Sequence, residues 1–133
     1  MNLKNLFSIE GRVALVTGGS RGIGEMIAAG FAENGAKVYI SSRKADACDA
    51  AAAELSQHGE CISFPADLST EEGLASFVSA LTEREDQIDI LVNNAGAAWG
   101  ADLGEFPEIG FDKVLDLNVK APFMLTQALL PQL

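Results

Sequence analysis

A chain of 133 residues gives one domain with a sizeable core and leaves no room for two, because a domain of this size buries roughly two-thirds of the surface its unfolded chain exposes. With 48% hydrophobic residues and neither an acidic tail nor a low-complexity tract, the composition argues against disorder and predicts a globular protein. A net charge of −10 excludes broad attraction to nucleic acid or anionic lipid, although local arginines and aligned amides can still hold one anionic ligand.

Residues 1–10 hold no apolar run long enough for a signal sequence, and nowhere does the chain approach the ~20 apolar residues of a membrane span. A soluble cytoplasmic protein is expected. A short buried strand is predicted over residues 12–17, then a helical segment in which Ile23, Met26, Ile27, Gly30 and Phe31 share one face. A second strand over residues 36–41 leads to a helix whose Cys48, Ala51, Ala52 and Leu55 repeat the i, i+3, i+4, i+7 spacing. Cys48 and Cys61 lack the paired spacing of a zinc or redox site and are expected in the core, and the lone His58 is expected in solvent. A third strand over residues 60–65 precedes Ser69 and Glu72, a capping-box pair, and a helix with Leu74, Phe77, Val78 and Leu81 inward. After a fourth strand over residues 88–92, a Gly- and Ala-rich stretch contains Trp99, and a last helix runs from about residue 111 to 130. Strands alternating with helices at this rhythm predict parallel βαβ units in an α/β, doubly wound sheet of the Rossmann type, covered on both faces. The sheet is expected to stop after its fourth strand and the following helix, leaving that strand's outer edge bare and apolar.

Between the first strand and first helix stands Thr17-Gly18-Gly19-Ser20-Arg21-Gly22-Ile23-Gly24. Glycines let the backbone approach a pyrophosphate, and the unpaired N–H groups and dipole of a helix N-terminus favour its charge by up to ~2 kcal/mol. The spacing is neither GxGxxG nor a Walker A loop, which needs a Lys after its last Gly, so a nucleoside triphosphate is disfavoured. A carboxylate ending the second strand would accept the ribose hydroxyls of NAD or of S-adenosylmethionine, but the sequence reads Ser41-Ser42-Arg43-Lys44. Arg43, with Arg21 from the glycine loop, suits a 2′-phosphate, so NADP(H) is favoured over NAD(H). Asp46 reads as compensation of the helix dipole. In the last helix, Phe111, Val114 and Leu115 define an apolar stripe whose next position is Asn118, which predicts a buried amide that must be bonded. Pro122 follows on the next turn and has no N–H, so the Asn118 carbonyl loses its helical donor and is free to bind water in a kinked helix.

These residues resemble the short-chain dehydrogenase/reductase family, of the branch with a TGxxxGxG loop. The resemblance rests on residues 17–24, on Asp67 after the third strand, on Asn93-Asn94-Ala95-Gly96 after the fourth, and on Asn118-Val119 in the last helix. Within the family the wording is most similar to NADPH-dependent 3-oxoacyl (β-ketoacyl) reductases, including the type associated with rhamnolipid synthesis. The resemblance implies that Gly18, Ser20, Arg21, Gly22, Ile23 and Gly24 wrap the pyrophosphate and adenosine phosphate, and that Arg43 takes the 2′-phosphate. It implies that Asp67 with Leu68 meets the adenine, and that Asn94 and Gly96 line the cofactor cleft. It further implies that Asn118 holds the water linking a catalytic lysine to solvent, that the substrate is a small carbonyl or 3-oxoacyl compound, and that the complete protein is a homo-oligomer. The family's catalytic Ser and Tyr-x-x-x-Lys pair lie downstream of this Asn, beyond Leu133, and Tyr39, the only tyrosine, is followed at the fourth position by Arg43. Residues 1–133 are therefore expected to form a dinucleotide-binding domain, incomplete at its C-terminus, of an NADP(H)-dependent oxidoreductase, and to be inactive alone. A non-catalytic NADP(H)-binding module is the alternative.

Overall fold

Short runs of buried β-branched residues form the strands, and the longer amphipathic segments between them form the helices. The computed structural model describes residues 3–133. A short helix α1 (Leu3–Leu6) leads to β1 (Val13–Thr17), α2 (Gly22–Glu33), β2 (Lys37–Ser41), α3 (Ala45–Leu55), β3 (Glu60–Ser63), α4 (Glu71–Thr82) and β4 (Ile90–Val92). Then come α5 (Glu108–Leu115), a π-helical turn (Asp116–Lys120) and α6 (Ala121–Leu129). All strand pairs are parallel in the order β3-β2-β1-β4, so the chain winds outward from β1 in one direction and returns to its other side, a Rossmann-like α/β fold. β3 is shorter than expected, yet Phe64 and Ala66 still donate N–H bonds to Ile40 and Ser42, so the chain stays beside β2 beyond the strand's end. Among the described residues β4 pairs with β1 alone, and its outer edge is bare.

Alternation along the strands divides the interior into two layers. Val16, Val38 and Ile40 pack with Ala28, Ala32, Cys48, Ala51, Ala52 and Leu55 of α2 and α3. Leu15 and Tyr39 pack with Phe77 and Leu81 of α4, Leu117 of the π turn, and Leu125 and Leu129 of α6. Cys48 and Cys61 are buried and His58 is exposed, as expected. Burial, with Cys48 nearby, pushes the Cys61 thiol up to about 11, which keeps it protonated and inert. Among the described residues no helix is long and apolar enough to cross a membrane.

Three local expectations need correction. α2 turns a different face inward: Ile23 and Met26 are 67% and 66% exposed, whereas Gly24, Ala28 and Ala32 are buried. Those three lie four residues apart, and their small size lets the helix sit close on the sheet while Ile27 and Phe31 close its flank. The α4 cap is not Ser69 paired with Glu72 but Thr70, whose Oγ1 accepts from Gly73 N at 3.1 Å. Ser69 instead donates to Asp67 Oδ1 at 2.6 Å, which removes it from the cap. The last helix starts earlier, at Glu108, and is interrupted by the π turn, where Ala121 N–H donates to Asp116 O five residues back. That turn lies directly ahead of Pro122, whose missing N–H interrupts regular pairing. Beyond the break, Leu117, Ala121, Leu125 and Leu129 form the inward row, so Phe111, Leu115 and Asn118 are exposed rather than buried.

Candidate cofactor site

Strand register decides which loops meet. Thr17 pairs with Ser41, Val16 with Val92 and Ile40 with Ser63, so the loops after all four strands leave the same carboxyl edge side by side. The winding reverses between β1 and β4, and that switch point is where an open α/β sheet has its crevice.

The glycine loop follows β1 into this crevice. Gly18 has φ +66°, a left-handed conformation, and a Cβ there would come 2.9 Å from the Cα of Ala95. A Cβ on Gly24 would overlap the Gly18 carbonyl oxygen and the Asn94 amide nitrogen, and one on Gly19 would come 2.6 Å from Ile40 Cγ2. These glycines bring three backbone segments into contact. Gly22 differs: it is also left-handed, at φ +59°, but no atom lies within 4 Å of where its Cβ would be, so the space in front of it is open. Arg21, the N-cap of α2, makes no side-chain bond to the helix, so its side chain leaves the first-turn N–H groups and the positive dipole end facing that space. A cradle of this shape and polarity fits a pyrophosphate.

Thr17 holds the crevice together. Its hydroxyl donates to Val92 O at 3.3 Å and accepts from Asn94 N and Ala95 N, both at 3.0 Å, which fills the one donor and two acceptor positions a hydroxyl has. Asn94 returns the tie, its Nδ2 donating to Thr17 O at 3.0 Å and Gly18 O at 3.2 Å. Beyond it, Asn118 Oδ1 accepts from Ala97 N at 2.7 Å and Asn118 Nδ2 donates to Ala97 O at 2.9 Å, so one amide side chain grips both polar groups of one residue. Gly96 sits between them, and a Cβ on it would lie 3.4 Å from Asn118 Oδ1.

Of the residues singled out from sequence, Gly18, Gly24 and Asn94 meet in direct contact, and Gly96 meets Asn118. Ser20, Arg21, Gly22 and Ile23 line the entrance of α2, with Ser20 half-buried and the other three exposed. Arg21 and Arg43 emerge from the neighbouring loops after β1 and β2, exposed, and neither is ion-paired to a carboxylate among the described residues. Asp67 uses its Oδ1 within its own loop, accepting from the N–H and hydroxyl of Ser69. Leu68 is buried in the core with Leu15 and Phe77, so its side chain forms floor rather than free surface. Thr17 and Ala97 were missed as site residues. A hydroxyl ending a buried strand just before glycines was the available signal for Thr17; nothing local marks Ala97. Among the described residues no group of three or more His, Cys, Asp or Glu could hold a metal ion.

A family model described as short chain dehydrogenase matches residues 12–133. The chain is 54% identical over 127 residues to the rhamnolipids biosynthesis 3-oxoacyl-[acyl-carrier-protein] reductase of Pseudomonas aeruginosa, covering 96% of this chain and 50% of that protein. Among solved structures, the Pseudomonas aeruginosa RhlG/NADP active-site complex matches with a TM-score of 0.91 at 54% identity, over 96% of this chain and 50% of that one. L-Sorbose reductase from Gluconobacter frateurii, complexed with NADPH and L-sorbose, matches with a TM-score of 0.89 at 33% identity, over 94% and 48% of the two chains. The chain spans about half the length of these relatives.

Proposed function

The chain belongs to the short-chain dehydrogenase family, and on that premise we propose that it binds NADP(H) across the carboxyl edge of its sheet as the cofactor-holding part of a carbonyl reductase. The carrying observation is the open entrance of α2, built by glycines and flanked by two arginines that make no ion pair among the described residues. Gly18, Ser20, Gly22, Ile23 and Gly24 receive the pyrophosphate, Arg21 and Arg43 hold the 2′-phosphate, and Asp67 with Leu68 borders the adenine. Asn94 and Gly96 line the nicotinamide end, where Asn118 positions a water for proton transfer. The bound nicotinamide supplies the hydride; the residues named here bind, orient and exclude. That two matched structures are complexes with NADP and NADPH supports the choice of nucleotide. The identity to a 3-oxoacyl reductase supports a 3-oxoacyl thioester or ketone as the substrate class. Exposed Phe111, Leu115, Val119 and Phe123, four residues apart on α5, the π turn and α6, support self-association through this face.

Titration with NADPH and NADH, followed by nucleotide fluorescence, tests the reading. NADPH is expected to bind more tightly, and Arg43→Ala to weaken it by about tenfold or more, since a charge-assisted hydrogen bond contributes roughly 1.5–3 kcal/mol. Equal affinity for both nucleotides, unaltered in the variant, would remove the 2′-phosphate clamp.

Within residues 1–133 the proposed role is binding without chemistry, because Tyr39 is not placed to donate a proton to a substrate. This sole tyrosine is buried, donates to Glu85, and has Arg43 where a lysine partner would stand. A polypeptide of these 133 residues is proposed to bind NADPH and consume none of it with a 3-oxoacyl thioester present. Absorbance at the nicotinamide band checks this, and steady consumption would refute it.

A further inference from the structure

α5 has one buried residue, Gly110, and the group that covers it is the indole of Trp99. A Cβ on Gly110 would lie 2.7 Å from ring atoms Cγ and Cδ2, so helix and ring touch with no room for a side chain. Almost one turn further, Lys113 Nζ stands 5.5 Å from the indole centroid, within cation–π range. No residue of α5 belongs to either apolar layer of the sheet, and the helix runs on into the π turn, whose Leu117 is buried in the second layer. Two further contacts tie this segment sideways: Gly110 beneath Trp99, and Asn118 of the π turn against Ala97. Both reach the loop after β4, which Thr17 anchors through the N–H of Ala95.

We propose that Trp99 and Gly110 are positioning residues, the indole clasping α5 to the loop after β4 and thereby holding the Asn118 amide against Ala97 and Gly96. With the clasp closed, both halves of the Asn118–Ala97 pair stay aligned; with it open, α5 is held only where it enters the π turn, by that pair and the buried Leu117, and the pair loosens. The clasp's effect on NADP(H) rests on the cofactor reading above, whereas the clasp itself does not. Gly110 is required here for its missing side chain, and Trp99 for its flat apolar face.

Amide hydrogen exchange on the intact chain reads the clasp at the Ala97 N–H, which donates to Asn118. Trp99→Ala and Gly110→Val are each expected to speed Ala97 exchange by about tenfold or more, while the amides of Leu15 and Val38 in the sheet keep their protection. Trp99→Phe, which retains an aromatic face over Gly110, is expected to stay within about twofold of the unaltered chain, and NADPH affinity to fall with Trp99→Ala and recover with Trp99→Phe. Unchanged Ala97 protection in both disruptive variants overturns the clasp. So does parallel loss at Leu15 and Val38, because the effect is then global. Absence of NADPH binding in the unaltered chain would instead refute the cofactor reading, with Ala97 exchange still deciding the clasp.

Discussion

Helices α2 and α4 are both 12 residues long and both enter from the carboxyl edge of the sheet, yet their first turns are satisfied in opposite ways. At α4 the protein supplies everything: Thr70 accepts from Gly73 N, Glu71 and Glu72 bring negative charge to the dipole, and the Asp67 carbonyl sits so close that a Cβ on Gly73 would overlap it. At α2 the N-cap is Arg21, which offers no acceptor and carries the charge that a helix N-terminus repels, and Glu25 is the one acid in the first turn. By local rules α2 is a poorly started helix. A dianion placed at its entrance would satisfy the N–H groups, the dipole and the arginine together, so what reads as a defect in folding would be an advantage in the proposed binding. The far end of α4 is also tied by protein, since Glu85 just beyond it takes Lys37 as an ion pair and accepts from the Tyr39 hydroxyl.

Breaking the open entrance should have the largest effect. Gly24→Ala places a methyl group into Gly18 and Asn94, an overpacking that costs about 1–3 kcal/mol and is expected to weaken NADPH binding about ten- to hundredfold. Isothermal titration checks it, and undiminished affinity would mean that the close packing of these three segments does not shape the site.

The closed helix is predicted to respond in stability instead. Burial alone would raise Glu85, but donation from Lys37 and Tyr39 outweighs it and holds the carboxyl below its ordinary 4.5, while the bond to Glu85 raises Lys37 above 10.5 despite partial burial. A depressed carboxylate contributes stability that is complete above its unfolded pKa and lost as pH falls through the folded one. A raised lysine contributes stability that is complete below its unfolded pKa and lost as pH rises through the folded one. The pair therefore gives a plateau from about pH 5 to 10 with losses on both sides. Glu85→Gln is expected to lower stability by about 1–2 kcal/mol at neutral pH and to flatten the acid limb. Urea unfolding across pH measures both, and an unchanged acid limb would assign it to other carboxylates. Smallest is Thr70→Ala, which should cost about 1 kcal/mol of stability and leave NADPH affinity unaltered. A loss of affinity there would erase the distinction between the two helix entrances.

Much of this was legible along the chain. The 17–24 loop, the absence of an acid after β2 and the rhythm of strands and helices are local features, and the parallel α/β sheet forms from that rhythm as expected. The inward face of α2 was not legible, because hydrophobicity marks Ile23 and Met26 while close approach to the sheet selects Gly24, Ala28 and Ala32. Asn118 was rightly expected to be bonded but wrongly expected to be buried. The π turn ahead of Pro122 and the inward row starting at Leu117 set its exposure, and stripe counting through a regular helix misses both.

By itself the sequence determined the order of the elements, the glycine-lined entrance and the type of charge placed beside it, because each depends on residues within a few positions of one another. Only the tertiary structure decided that Thr17 ties to Asn94 across 77 residues, that Asn118 grips Ala97 across 21, and that Trp99 covers Gly110. Those pairings follow from parallel strand register and from how closely α2 and α5 approach their neighbours, distances that no local pattern encodes.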